Sequence, residues 1–363
     1  MNSLPLLQSF LRRVTPLVTP FNGCAACPAR PLPFAERRSA VAVQNSAIDI
    51  VYTWVDGSDS ALREKKQRYM PLENAVSSVS HGKALYRDNQ ELRFSLRSIE
   101  AYLPWVRYIH IVTDNQIPAW LDEAHPKIRI VDHTDIIPAH YLPTFSSRVI
   151  EAFLHKIPGL AEQYIYCNDD VFFAAQTTPD DFFTANGLPY IFTDWRRPRR
   201  LSYAKSATPH SRSHANVIQY LAKKGVVPTP GLITAHGPFA QTRKNAEDVF
   251  RFFEPAIEVF AQDKFRSMRG MVFYCHMAPL WAYAKQRGVA CDLAYYYINT
   301  KRLDRKAYYG ALLKEQNSDT IPMFFCLNDP ADSREWYRWQ EDYSDFVHAF
   351  YPKKSSFEKH TGS

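Results

Sequence analysis

Apolar positions in this chain gather into short continuous runs that stop in polar or acidic residues, with helical periodicities between them. Ile48-Asp49-Ile50-Val51-Tyr52-Thr53-Trp54-Val55 reads as a first strand and ends in Asp56-Gly57-Ser58-Asp59. Arg107 to Thr113 and Ile128 to Val131 read as the next two strands, closing in Asp114-Asn115 and Asp132-His133. Tyr164-Ile165-Tyr166-Cys167-Asn168-Asp169-Asp170-Val171-Phe172-Phe173 is a buried strand interrupted by two adjacent carboxylates. Phe324 to Leu327 is a last strand, tipped by Asn328-Asp329.

Helical spacing fills the gaps. Leu92, Leu96, Ile99 and Leu103 fall on one face of a helix that Asp88 is placed to cap. Ala119 to Ala124 reads as a short helix, and Val149, Ile150, Phe153, Leu154 and Ile157 stripe another. Further helices are predicted over His214 to Lys224, after His236-Gly237-Pro238-Phe239 with Pro255 in its span, and over Met277 to Arg287. Asp332 with Glu335 resembles a capping box that starts an aromatic-rich helix through Phe350. Strands alternating with helices predict an α/β fold with a mostly parallel sheet and flanking helices. The expected organisation is one catalytic domain over 47–350, with a helical insertion around 200–290. Residues 1–46 read as a flexible basic leader, rich in proline and without an acid before Glu36, and 351–363 as a polar, frayed tail.

Composition narrows the function. Lys and Arg number 44 against 37 Asp and Glu, a net charge of +7 that suits an anionic partner. No zinc-finger, homeodomain or RNA-recognition signature accompanies it, so nucleic acid is not the expected partner. The 6 cysteines are scattered, which points to a reducing compartment. Cys24-Ala25-Ala26-Cys27 has the spacing of a metal knuckle but no second pair nearby. No run of about 18 apolar residues is present, so a transmembrane helix is not expected. The expected location is the cytoplasm, and the basic leader leaves open only a weak peripheral tether to the inner face of the membrane. Neither GxGxxG nor GxxxxGK[ST] occurs, which leaves a dinucleotide fingerprint and a P-loop unsupported.

The acidic strand ends are the candidate chemistry. A buried unpaired carboxylate costs several kcal/mol, so Asp169 and Asp170 call for a partner such as a hard divalent cation. Their alternative reading is an ordinary acidic turn. Arg93 and Arg97, four apart, form either a solvated charged face or a guanidinium pair fitted to phosphate. Arg148 and Glu151 are either a surface pair or site residues, because their helix leads directly into the Asp169-Asp170 strand. Asp194-Trp195-Arg196-Arg197-Pro198-Arg199-Arg200 is either a solvated run or a landing surface for anions. His210 and His214 have a zinc-like spacing, but no companion ligands are evident near them in sequence. His236 sits at a Gly-Pro turn that fixes its backbone.

Several of these stretches resemble the blocks of the Stealth family. They are Ile48 to Asp59, Asp88-Asn-Gln-Glu-Leu-Arg-Phe-Ser-Leu-Arg-Ser-Ile-Glu100 through Trp120, Asn168 to Asp170, His236-Gly-Pro238 with Phe265-Arg266, and Cys326 to Asp329. That family includes bacterial capsular and exopolysaccharide sugar-phosphate transferases and the animal enzyme that starts the mannose-6-phosphate tag on lysosomal hydrolases. The chain departs from it at Ser146-Ser-Arg-Val-Ile-Glu151, where an Asn-Ser-His-like run is usual. The resemblance implies a nucleotide-sugar transferase (GT-A-like) core and transfer of a sugar-1-phosphate from a UDP-sugar to a hydroxyl of a polysaccharide acceptor. UMP would leave and a phosphodiester would form; a conventional metal-dependent glycosyltransferase would release UDP instead. In this reading Asp169 and Asp170 hold Mg²⁺ or Mn²⁺, Asp56, Arg93, Glu151 and Asp329 serve the donor, and Asp56 and Glu151 also count among the catalytic residues. Arg266 would stabilise charge on the transferred phosphoryl group, and His236 would be the general base, since a histidine ordinarily titrates near working pH.

Overall fold

The structure is a computed structural model, and it describes residues 47–70, 86–194, 209–227, 232–329 and 339–359. The leader with Cys24 and Cys27, the basic run 195–200 and the pair Asp332 and Glu335 lie outside the described residues.

Strand β1 (Ile48–Thr53) is buried along nearly its whole length, as expected for a strand covered on both faces. After the turn, Asp59 caps α1 (Ser60–Tyr69) by accepting from Ala61 N–H at 2.9 Å. Helix α2 (Glu91–Tyr102) buries the predicted stripe of Leu92, Leu96 and Ile99. It starts later than the sequence suggested. Asp88 Oδ1 accepts from Gln90 N–H at 2.7 Å, and Gln90, at φ 66°, occupies the cap position.

Strands β2 (Ile109–Thr113) and β3 (Ile128–Asp132) follow. Between them Ala119–Ala124 forms turns, with Leu121 bridged to Glu358, and no helix. Six residues next to a proline cannot nucleate one without packing support. Then come the single turn α3 (His133–Ile136) and α4 (Ser147–Phe153). The run expected as one interrupted strand is two: β4 (Gln163–Cys167) and β5 (Val171–Phe173), which belong to different sheets. After β6 (Tyr190–Thr193) come α5 (Pro209–Lys223), β7 (Phe239–Thr242) and α6 (Arg243–Ala261), with Pro255 inside the last. A π turn (Phe273–Met277) leads into α7 (Ala278–Ala284) and β8 (Val289–Asp292). The chain closes with β9 (Tyr296–Asn299), α8 (Arg305–Glu315), β10 (Phe324–Asn328) and α9 (Trp339–Phe350).

The main sheet has the order β3-β2-β1-β4-β7 and is parallel except for β7. Among its described residues the stretch around 200–290 therefore carries three helices but also a strand of the main sheet. Alternation along β1 decides its faces: Ile50 and Tyr52 pack with α2, whereas Val51 packs with Val149 of α4 and Val249 of α6. The chain leaves β1 for β2 and β3 on one side and takes β4 on the other. Such a switch point leaves a crevice beyond the carboxyl ends of β1 and β4. Strand β10 pairs with β5 and β9 in a second sheet, which brings the acidic tip Asn328-Asp329 to the same edge.

The polar tail is not frayed over residues 351–359. Phe357 and Glu358 are buried, and Glu358 is held by Arg93 Nε at 2.6 Å and Arg97 Nε at 2.6 Å. The arginines stand one helical turn apart on α2, so one carboxylate can take both. Removing that carboxylate would leave a buried guanidinium at Arg97 without its acceptor. Glu358→Ala is expected to lower the unfolding free energy by ~3–5 kcal/mol in a urea melt. A loss below about 1 kcal/mol, the range of exposed pairs, would contradict the clamp.

Candidate active site

A cavity of about 410 Å³ lies at the carboxyl ends of β1, β2 and β4. That size suits a small-molecule ligand. Strand β1 contributes Thr53, Trp54 and Val55, β4 contributes Asn168, Asp169 and Asp170, and β10 contributes Asn328 and Asp329. His236 enters from the turn before β7, Arg148 and Glu151 from α4, and Arg266 from the loop after α6.

One end of the cavity is acidic. Asp170 Oδ1 lies 3.3 Å from His236 Nε2, and Oδ2 accepts from Cys326 Sγ at 3.3 Å and Asn328 Nδ2 at 3.4 Å. Burial raises the Asp170 carboxyl, but the charge of His236 and these donors outweigh it and hold the group below its ordinary range. Asp169 goes the other way: burial and the charges of Glu91, Asp170 and Asp88 push it well up. Glu91 is itself pushed up to about 7, by burial first and the charge of Asp88 second. A carboxyl raised by burial and by three neighbouring acids fits a divalent cation with oxygen donors, and Asp169 and Asp170 are the residues that would hold it. Asp170, His236 and Cys326 also offer one donor atom each within 4.8 Å of one another.

The other end is basic. Arg266 Nη2 donates to Ser147 Oγ at 2.8 Å, and Arg148 Nη1 donates to the Ser267 carbonyl at 2.7 Å. Burial, aided by the charge of Arg266, pulls Arg148 down to about 10. Glu151 is buried beside them, and its Oε2 has no hydrogen-bond partner among the described residues. Burial pushes its carboxyl up to about 7 against the pull of Arg266 and Arg148.

Because its folded pKa is raised, Glu151 contributes stability below about 4.5 that is lost as pH rises through 7. Glu151→Gln should therefore stabilise ligand-free protein at pH 8 by about 3 kcal/mol and leave it nearly unchanged at pH 4.5. Paired melts at the two pH values check this; an equal shift at both would contradict a buried, high-pKa carboxyl.

The structure brings Glu151, Asp169, Asp170, His236, Arg266 and Asp329 to one cavity. Asp329 is ion-paired to Arg87 at 2.7 Å and Lys301 at 2.9 Å, so it holds two cations at the rim. Asp56 follows the lining residue Val55, but its own carboxylate accepts from Ser58 N–H at 2.7 Å and closes the turn. Arg93 is not brought to the cavity; Glu358 holds its guanidinium at the far end of the clamp. The structure adds Glu91, Arg87, His210 and Cys275 to the lining. Glu91 gave no signal, since an acid in the first turn of a helix is ordinarily explained by the helix dipole. The glycine before Pro238 is sterically required. A Cβ on Gly237 would sit 2.2 Å from the Phe324 ring and drive the His236 turn off β10.

Fold and site together define an open-sheet α/β protein with an acidic and a basic pole in one cavity at the sheet's switch point. The chain belongs to the Stealth family of capsular polysaccharide phosphotransferases. The models of Stealth conserved regions 1 and 2 match residues 47–72 and 85–191. The chain is 35% identical over 308 residues to the capsular polysaccharide phosphotransferase fcs1 of Haemophilus influenzae, with 84% of each chain covered. It is 34% identical over 339 residues to a capsular polysaccharide phosphotransferase of Actinobacillus suis, covering 88% of this chain and 91% of that one. An exopolysaccharide phosphotransferase of Streptomyces coelicolor is 35% identical over 316 residues, 86% of this chain and 52% of that one. Among solved structures, the galactosyltransferase LgtC with donor and acceptor sugar analogs aligns at TM-score 0.40 and 14% identity, covering 83% of this chain and 95% of LgtC. The bifunctional glycosyltransferase WbbM aligns at TM-score 0.42 and 11% identity, covering 85% of this chain and 50% of WbbM. Among the described residues no helix is long and apolar enough to cross a membrane.

Proposed function

We propose that this protein transfers a sugar-1-phosphate from a UDP-activated sugar to a hydroxyl of a glycan acceptor in the synthesis of a capsular or exopolysaccharide. UMP leaves, and a phosphodiester joins sugar to acceptor. The observation that carries this reading is the two-poled cavity in a chain of the capsular phosphotransferase family. Second to burial, neighbouring acids raise Asp169 at the acidic pole and Arg266 lowers Arg148 at the basic pole. A divalent cation at the first and a diphosphate at the second would offset both.

Phosphoryl transfer asks the protein for positioning and charge neutralisation more than for covalent help. Asp170 and Asp169 would hold Mg²⁺ or Mn²⁺, which supplies charge neutralisation across the diphosphate. Arg266, fixed by Ser147, and Arg148 would take the charge that builds on the phosphoryl oxygens. Glu151, which lines the cavity with Arg148 and Arg266, would accept from donor sugar hydroxyls. His236 would take the proton of the attacking hydroxyl. Its Nε2 lies 3.3 Å from both Asp170 Oδ1 and Asn168 Nδ2, which fixes where the ring stands.

The test is a panel of UDP-sugars with glycan acceptor and Mg²⁺, followed by phosphorus NMR. The expected products are UMP and a phosphodiester resonance. Release of UDP with no phosphodiester would replace the proposal with glycosyl transfer.

A further inference from the structure

The His210-Ser-Arg-Ser-His214 run lacked companions in sequence, and the fold supplies them from more than sixty residues downstream. His210, in the first turn of α5, meets Cys275 and His276 of the π turn, and one donor atom from each lies within 4.8 Å of the others. We propose that His210, Cys275 and His276 form a second metal site, selective for zinc, in the wall of the cavity. His210 and Cys275 both line that cavity, so an ion held there would lie at its wall.

The donor set selects the metal. Two imidazoles and a thiolate are borderline-soft ligands that suit Zn²⁺ and disfavour Mg²⁺, which prefers oxygen. Bonds of ~2.0–2.3 Å place neighbouring ligand atoms roughly 3.5–4 Å apart in a tetrahedral site, so small side-chain rotations close the present spacing. On binding, the Cys275 thiol releases one proton to solvent and the sulfur becomes the ligand.

The surroundings are those of a built ligand cage. Ser213, fully buried on α5, accepts from Val272 N–H at 2.7 Å and meets His276 Nδ1 at 2.9 Å. With Ser213 accepting both hydrogens, His276 would keep its own on Nδ1 and leave Nε2 for the metal. An outer partner of this kind sets the tautomer and ring orientation of ligating histidines. Thr234 Oγ1 donates to the Cys275 carbonyl at 2.8 Å and lies 3.2 Å from Sγ, which fixes the thiol beside it. A π turn is itself an irregularity common at functional sites. His210 is exposed, which leaves an entry path. A bound ion would tie the start of α5 to the turn that carries Val272 and Tyr274, both of which line the same cavity. The assignment does not depend on which group the enzyme transfers.

The test reads metal directly. The full chain is stripped with chelator and loaded with Zn²⁺ or Co²⁺. Zinc is counted by elemental analysis, and cobalt by its thiolate charge-transfer absorption. The expected result is one zinc per chain and a thiolate–cobalt band, both lost in Cys275→Ser and in His210→Ala. The same band should survive in Asp170→Asn, whose carboxylate belongs to the other donor group, with Cys326. His210→Ala changes an exposed first-turn residue, so its circular dichroism should match the parent and guard against misfolding. Absence of the band in the parent, its persistence in Cys275→Ser, zinc affinity unchanged in folded His210→Ala, or its loss in Asp170→Asn would each overturn the site.

Discussion

Asp170→Asn is expected to lower kcat by ~10³-fold at saturating donor, in line with losing one preorganised charge-stabilising group. The side chain keeps its volume, and its remaining oxygen can still accept from Cys326 or Asn328. What disappears is a carboxylate that the charge of His236 and the donors of Cys326 and Asn328 hold below its ordinary range. Asp169 and Glu91, whose carboxyls are pushed up, cannot replace it without a further like-charge cost. The variant should also lose the ligand linkage. Mg²⁺ that binds only the folded parent raises its melting temperature, and the same Mg²⁺ should leave Asp170→Asn unmoved. Turnover near the parent value, with the same Mg²⁺ requirement, would remove Asp170 from the metal site. Lost turnover with an intact thermal response to Mg²⁺ would instead assign Asp170 to orienting His236.

The strand ends were legible because one physical rule governs them. Parallel strands covered on both faces must be apolar throughout, so β1 and β4 announce themselves and stop where the chain leaves the core. Residues placed by that rule, Asp169, Asp170 and Asp329, sit where the sequence put them, at the cavity. Arg93 shows the limit. Its spacing from Arg97 puts both on one face, but the occupant of that face is Glu358, 265 residues on from Arg93. No local pattern marks a tail carboxylate as buried. The split between β4 and β5 was hidden for a related reason. The apolar run resumes after Asp170, and only the partner strand β10 decides that the second half joins another sheet. His210 needed Cys275 and His276, which a π turn aims at it, and such irregular turns have no periodicity to read.

His236→Ala is expected to reduce kcat by ~10²–10⁴-fold, the range for a positioned general base, with little change in donor KM. The ring stands at the turn before β7, held at its backbone by the Tyr295 hydroxyl and at Nε2 by Asp170. The same contact admits a second role, because His236 belongs with Asp170 and Cys326 to a group able to grip a cation. The two roles separate cleanly in the variant. A missing base is restored by added imidazole and is indifferent to Mg²⁺ above saturation, and the acid limb of the pH–rate profile flattens. A missing ligand shows as a raised Mg²⁺ requirement, and excess Mg²⁺ recovers the rate while imidazole does nothing. Gly237→Ala supplies an independent arm, since its Cβ would collide with Phe324 and shift the ring without changing its chemistry. If His236 works as the base, that displacement should lower kcat while the Mg²⁺ requirement holds. Activity of His236→Ala near the parent level, at ordinary Mg²⁺ and without imidazole, would exclude both roles.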